Sequence, residues 1–579
     1  MEAYPMPNSN RDYLLNRFTK ENQDRMQEDC RKRIMITPKK ILWETTKKDA
    51  YLVDSKVLLE DRPVQISLQA NKPCTMCNDG NIPSLLLDFG FELHGGIILS
   101  IWSESSGEGA KLRVRFGESA METMSELGEG NTATNDHANR DFVTTVRNMS
   151  MNPMGETGFR FVRIDLLSPN CKVEIKTIKA LFAFKDVPYK GSFYCSDERI
   201  NQIWNVGAYT VHLNMQEYIW DGIKRDRLVW IGDMHPATLT VQTVFGYDDS
   251  VERSLDFIKE ETPLPAWMNT FPAYSMWWII IQHDWFMYNG NLGYLESQKQ
   301  YFIALHKQLS EMLDENGKDI TPEPRFIDWN SVGNVDATDA GLQALHFMAT
   351  FKLRRLFEVL KEFDLVAECG VDLEKMKQYS VDVGGSKQAA ALLVMAGLLD
   401  ANKTNHELLS QNACAGMSTF MGYYILTARA MAGDINGCLK CIKEYWGGML
   451  QLGATTFWED FDIDWMENAA KIDELVWDNS DKIDVHGTYG KHCYKGYRHS
   501  LCHGWAAGVT PWLTENILGV KVIDAGCKTI KITPQLGDLE WAEGTFPTPY
   551  GIIRVKHQKM KDGTIQSQID APKEIIIQK

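Results

Sequence analysis

At Ser196 the hydrophobic pattern of the chain changes period, and near Gly519 it changes back. Before the first switch, apolar residues alternate with polar ones. Leu112, Val114 and Phe116 are interleaved with arginines in LRVRFGES, and Phe159, Phe161 and Ile164 recur in GFRFVRIDLL. Period two marks strands with one buried face. After the cap signal CSDE, apolar residues fall at Ile200, Ile203, Trp204 and Val211, the spacing of a helix with a buried stripe. Helical segments then follow one another to about residue 518, among them SMWWIIIQHDWFMYN, SKQAAALLVMAGLL and STFMGYYILTARAMA.

Three regions with different periods cannot share one regular layer, and 579 residues exceed what one core usually supports. The reading is a multidomain chain. A polar lead-in over 1–50 precedes an antiparallel β-sandwich over 51–190. In the sandwich, SLLLDFGFELHGGIILSIW reads as two strands broken at Gly95-Gly96. About a dozen helices over 191–518 suit an (α/α)6 barrel, six hairpins in two concentric rings. A small β-domain over 519–579 carries a hairpin signal at Asp562-Gly563.

Charge narrows the partners. The 77 acidic and 61 basic residues leave a formal charge of -16, which argues against nucleic acid, since phosphate binding needs a positive surface. No apolar run reaches the roughly 20 residues that span a bilayer, so no membrane partner is expected. The 17 tryptophans and 20 tyrosines suit a carbohydrate, whose apolar faces rest on aromatic rings, although a large aromatic core would use the same residues. The twelve cysteines include Cys74/Cys77 and Cys438/Cys441 at CxxC spacing without a nearby histidine or second pair, so no metal site is read there. No basic, then apolar, leader opens the chain. The expectation is a cytoplasmic protein, or a periplasmic or secreted one if a leader was removed; oligomeric state is not set by the sequence.

Between the helices, the loops carry carboxylates beside tryptophans. WDGIKRDRLVWIGDMHP holds Asp221, Asp226 and Asp233 with Arg225 and Arg227; PRFIDWNSVGN holds Asp328 before Trp329; GATTFWEDFDIDW holds Glu459 after Trp458. Glycoside hydrolysis uses two carboxyl groups across the scissile bond, one protonated and one ionised. Each residue also has a plainer explanation. Asp233, followed by Pro236, suits a helix N-cap. Asp221 and Asp226 suit pairing with the arginines on a solvated loop, and Glu459 suits a surface acid among Asp460, Asp462 and Asp464.

Taken together, the segment DGIKRDRLVWIGD resembles the signature of the inverting α-L-rhamnosidases, glycoside hydrolase family seventy-eight: an aspartate, an arginine-acid-arginine unit, then GW-x-GD. GATTFWED, the Asp328-Trp329 pair, HSLCHGWAAGVTPWL and WAEGTFPTPYG are similar to further segments of that family. The resemblance implies the same order of β-sandwich, (α/α)6 barrel and β-domain. It places the general acid on Asp226 and the general base on Glu459. Asp221, Arg225, Asp233, Asp328 and His503 would bind substrate, with Trp329, Trp458 and Trp278 lining the pocket. No metal or cofactor is implied.

The chain departs from the family at one position: the acid is normally a glutamate, and Asp226 is one methylene shorter, withdrawing the carboxyl by roughly 1.5 Å. The implied function is single-displacement hydrolysis of a terminal α-L-rhamnoside or related deoxyhexoside. Arg225 and Arg227 are expected to pair with Asp221, Asp233 or sugar hydroxyls rather than with the acid. The alternatives are a six-hairpin glycosidase for a uronoside, fucoside or glucoside, and a glycan-binding protein with impaired catalysis. A polysaccharide lyase using Tyr489, His492 and Arg498 is a third.

Overall fold

The alternating segments form nine strands in a computed structural model that describes residues 29–46, 51–69, 72–128, 133–477 and 480–579. They are β1 (Arg31–Ile36), β2 (Lys40–Glu44), β3 (Tyr51–Val53), β4 (Cys74–Asn78), β5 (Ser84–Glu104), β6 (Ala110–Gly117), β7 (Asp141–Val146), β8 (Ser150–Leu166) and β9 (Cys171–Lys185). The sheet order is β3-β4-β9-β5-β8-β6-β7, with β1 added to β9 and β2 to β5. The sheet therefore takes in two strands from the stretch read as lead-in; residues 1–28 of that stretch lie outside the described residues.

Contrary to the expected break, β5 runs through Gly95 and Gly96. The glycines serve close packing rather than a turn. A Cβ on Gly95 would stand 2.0 Å from the Leu181 carbonyl oxygen, and one on Gly96 2.1 Å from that of Gly155. Register shifts at this point of β5 bend the strand over a core of Leu85, Leu87, Leu93, Leu99, Phe159 and Ile164. Each such side chain contributes about 1.5–3 kcal/mol when fully buried.

Six helices pack each against the next in a closed ring: Met234–Val244, Pro272–Asn289, Val335–Leu360, Lys387–Met395, Gly422–Met431 and Val509–Asn516. Outside them lie Glu198–Asn214, Asp249–Glu260, Leu292–Ser310, Phe363–Gln378, the short Ala401–Thr404 with its π-turn, and Ile435–Gln451. The two rings differ in sequence for a physical reason. All eleven residues of Met234–Val244 are buried, polar His235, Thr238, Thr240, Gln242 and Thr243 included, so the helix is enclosed on every face, whereas Asp249–Glu260 buries Val251, Leu255 and Ile258 on one stripe. No helix among the described residues is long and apolar enough to cross a membrane.

The terminal strands are β11 (Val520–Val522), β12 (Thr529–Ile532), β13 (Trp541–Thr548), β14 (Gly551–Lys559), β15 (Ile565–Asp570) and β16 (Ile576–Gln578). They build two small sheets, and one recruits β10 (Ser192–Cys195) beside β13. That strand falls at the start of the region read as barrel. Ile530, Ile532 and Ile553 pack into the same apolar core as the barrel.

Candidate active site

The N-terminal ends of the inner helices converge on one mouth. Asp233 precedes Met234–Val244, Tyr274 lies in the first turn of Pro272–Asn289, and Asp328 and Trp329 precede Val335–Leu360. Ser418 and Thr419 precede Gly422–Met431, and His503 precedes the turn Gly504–Gly508 that feeds Val509–Asn516. Helix N-termini carry unsatisfied N–H groups and a partial positive charge, so buried carboxylates are favoured there.

Asp233 is no ordinary cap. It sits at the N-cap position, but its side chain makes no capping bond. Tyr274 donates to Oδ1 at 2.7 Å, and His503 Nε2 lies 3.4 Å from Oδ2. Gly232 makes this possible: a Cβ there would stand 2.3 Å from the Tyr274 ring. Burial raises the Asp233 carboxyl above its ordinary range, with His503 and Tyr274 opposing. Asp221 is also buried, accepts the Leu228 N–H at 3.0 Å, and is pushed up to about 8 by burial, reinforced by Asp226. Against the desolvation that lowers a buried imidazole, the bond to Asp233 and the fields of Glu459 and Asp221 raise His503.

Glu459 is buried rather than a surface acid. Arg225 Nη2 donates to both its oxygens at 2.6 and 2.7 Å, and the Ser500 N–H donates to Oε2 at 3.0 Å. Arg225 Nη1 lies 3.2 Å from Asp226 Oδ2. One guanidinium thus bridges the two carboxyls assigned to catalysis. This corrects the expectation that Arg225 avoids the acid: its stem is fixed by Nε donating to the Arg498 carbonyl at 2.9 Å, which aims the fork between Asp226 and Glu459. Arg227 turns away and donates to the carbonyls of Glu156 and His137, each at 3.0 Å.

Asp226 and Arg227 both hold left-handed backbone, φ 55° and 56°. Aspartate tolerates that region better than most residues, which gives a local reason for aspartate where the family has glutamate. The strained pair is held by the β-sandwich. His137 Nδ1 accepts the Asp226 N–H at 3.1 Å, with the Asp226 carboxyl beside the ring. Buried Lys224 binds Glu122 at 2.9 Å. Neither His137 nor Lys224 was flagged by sequence, because each meets its partner only through tertiary contact.

The aromatic assignments divide. Trp329 is half-buried, stacks on His492 with centroids 5.5 Å apart, and borders a cavity of about 430 Å³. Trp458 is fully buried and meets His486 edge-on at 4.5 Å, so it backs the site without exposing a face. Trp278 is a correction. It packs outward on Tyr301 and Phe302, whereas its neighbour Trp277 faces inward onto His235 and Tyr424, since one residue turns a helix by about 100°. Asp328 buttresses: its oxygens accept the Ser331 N–H at 3.0 Å and the Ser418 hydroxyl at 3.1 Å. Trp505, beside the predicted His503, donates to the Glu459 carbonyl at 2.9 Å and stands 4.3 Å from the His503 ring. The residues of the lyase alternative do not converge: Tyr489 stacks on Trp465, His492 on Trp329, and Arg498 pairs with Asp136.

Among protein families, the bacterial α-L-rhamnosidase six-hairpin glycosidase domain matches residues 188–378, and the bacterial α-L-rhamnosidase C-terminal domain matches 519–575. In these two stretches the chain is similar to bacterial α-L-rhamnosidases. An α-L-rhamnosidase from Alteromonas sp. (strain LOR) is 24% identical over 452 residues, covering 70% of this chain and 46% of that protein. The chain thus spans about half the length of that relative. The structure of a GH78 family rhamnosidase from Bacillus sp. GL1 matches with TM-score 0.72 and 22% identity over 90% of this chain and 55% of that one. A rhamnosidase from Klebsiella oxytoca with rhamnose bound gives 0.63 and 18% over 84% and 96%. At these identities the likeness shows the fold.

Proposed function

We propose that the protein is an inverting glycoside hydrolase that releases terminal α-L-rhamnose, or a closely related deoxyhexose, from a glycan or glycoside. One observation carries the reading: Asp226 and Glu459 face each other across a single guanidinium, with Asp221, Asp233 and His503 behind them. An inverting pair is set about 6.5–9.5 Å apart so that water fits on one face, against roughly 5 Å for a retaining pair. The interposed Arg225 supports the wider spacing.

In the proposed reaction Asp226 gives its proton to the glycosidic oxygen as the bond to the anomeric carbon breaks. Glu459 takes a proton from the water that attacks the opposite face. Arg225 and the Ser500 N–H orient Glu459, and the buried carboxyls Asp221 and Asp233 bind sugar hydroxyls. Trp329 supplies an aromatic wall. No step in this chemistry calls on a metal or cofactor. Cys438, Cys441 and Cys502 are buried free thiols, which supports placing the protein in a reducing compartment, the cytoplasm.

A panel of aryl glycosides, with the product anomer followed by proton NMR, tests sugar and stereochemistry together. Release of a β-anomer from an α-L-rhamnoside is expected; release from a uronoside, fucoside or glucoside instead reassigns the sugar. The pairing of Asp226 with Arg225 and His137 favours one second reading, a glycan-binding protein with impaired catalysis. Tight rhamnose binding without product on any of the panel would select it.

A further inference from the structure

We infer that Glu118 and Glu122 of the β-sandwich, together with Lys224, are positioning residues for Glu459; this rests on the assignment of Glu459 as the base. Glu118 follows β6, and Glu122 lies in the helix Ala120–Met124. Both are buried, as is Lys224. The Lys224 ammonium has three protons and three close acceptors: the Tyr497 carbonyl at 2.5 Å, the His499 carbonyl at 2.7 Å and Glu122 Oε1 at 2.9 Å. Arg140 pairs with the same Glu122 oxygen. Glu118 Oε2 accepts the Leu501 N–H at 2.6 Å and lies 3.5 Å from Lys224 Nζ. Gly158 lets β8 come close at this point: a Cβ there would stand 2.9 Å from the Lys224 backbone nitrogen. Thr157, beside it, donates to the Lys224 carbonyl at 3.0 Å.

These contacts converge on residues 497–501, the stretch against which the base is held. The carbonyls of Tyr497, Arg498 and His499 are taken in turn by Lys224, Arg225 and Lys224, and the N–H groups of Ser500 and Leu501 go to Glu459 and Glu118. The Glu459 N–H donates back to the Ser500 carbonyl at 3.0 Å. Glu459 and Glu118 thus grip consecutive amides from the barrel and from the sandwich. Against burial, Arg140 and Lys224 hold the Glu122 carboxyl below its ordinary range, so Lys224 faces a carboxylate. Burial pushes Glu118 up to about 7, with Lys224 opposing, but a carboxyl group accepts the Leu501 N–H whether or not it is protonated. A general base displaced by about 1 Å loses on the order of 10²-fold in rate. The sandwich therefore serves the reaction without touching the sugar, by fixing the segment that orients Glu459.

Glu118→Leu and Lys224→Met in the full chain test this beside Glu459→Gln, each also combined with it, with kcat and KM measured on methyl and p-nitrophenyl α-L-rhamnosides. Each single sandwich-side change is expected to lower kcat by about tenfold to a hundredfold. The loss should be equal on the two substrates, because activating the water does not depend on the leaving group, and KM should stay within about twofold. Adding either change to Glu459→Gln should cost no further rate, since residues that act as a unit are not additive. Glu118→Gln keeps an oxygen for the Leu501 N–H and should run within about threefold of the wild type. A loss confined to the methyl glycoside, a full extra loss in the double variants, or a Glu118→Gln as slow as Glu118→Leu overturns the inference. If Glu118→Leu does not fold, Lys224→Met alone and in the Glu459→Gln background decides by the same criteria. If Glu459→Gln keeps near-normal rates, the base assignment fails and the inference with it. If Glu459→Gln is slow while Glu118→Leu and Lys224→Met turn over like the wild type, only the positioning fails.

Discussion

Replacing Asp221 by asparagine should make the protein more stable at neutral pH and a poorer enzyme. The folded-state carboxyl is pushed up to about 8 by burial, against about 3.9 for an aspartate in an unfolded chain. Below about pH 4 both states hold the proton. As pH rises from there to about 8, the unfolded chain releases it and the folded chain keeps it, so the folded state loses about 1.4 kcal/mol per pH unit. The stability contributed by this group is therefore full below about pH 4 and gone by about pH 8. Between pH 5 and pH 8 the loss is about 4 kcal/mol. Asparagine cannot titrate and keeps an oxygen for the Leu228 N–H. Urea unfolding followed by tryptophan fluorescence at pH 5 and pH 8 should show a pH dependence in the wild type that shrinks by about that amount in Asp221→Asn. Turnover should fall about tenfold to a hundredfold, the scale of a lost hydrogen bond to a charged or ionisable group. Equal pH dependence in both proteins would refute the buried, proton-holding Asp221.

Three other substitutions probe the same site. Glu459→Gln should depress turnover on alkyl and aryl rhamnosides alike, by about 10²-fold or more, and near-normal rates on either would remove Glu459 from the mechanism. Arg225→Met leaves Glu459 buried without its bidentate partner and should cost about 3–5 kcal/mol, read as a lower urea midpoint; an unchanged midpoint would mean the pair contributes nothing. Asp226→Glu restores the family residue, yet it advances the carboxyl by roughly 1.5 Å toward His137 and puts a less tolerant residue at φ 55°. Turnover should fall, by up to about 10²-fold for a misplacement of that size, and a faster enzyme would show that the backbone, not the side chain, adapts.

Two period changes made the three-part architecture legible, because strand and helix patterns are local. The acidic positions were legible as a set for the same reason: WDGIKRDRLVWIGDMHP and TTFWED are contiguous. What the side chains do there was less so. Arg225 is adjacent to Asp226, but its direction is decided by the carbonyl of Arg498, 273 positions away. His137 lies 89 positions before the residue it contacts. Trp277 and Trp278 are equivalent in composition and differ only in which way one helix is rotated against its neighbours.

The strand Ser192–Cys195 has a consequence for how the chain assembles. It leaves the ribosome before any of the barrel, but its partner in the terminal sheet follows much later; Ser192 and Thr545, whose hydroxyls lie 2.9 Å apart, are separated by 353 positions. The ring has the same delay, since Val509–Asn516 closes it against Glu198–Asn214 and Met234–Val244. During synthesis the sandwich can fold first, while an unpaired strand edge and an open apolar ring wait for the last segments, a state that favours aggregation. Removing the final 60 or so residues would make that waiting state permanent, so the terminal domain acts as the closing piece of the barrel's assembly.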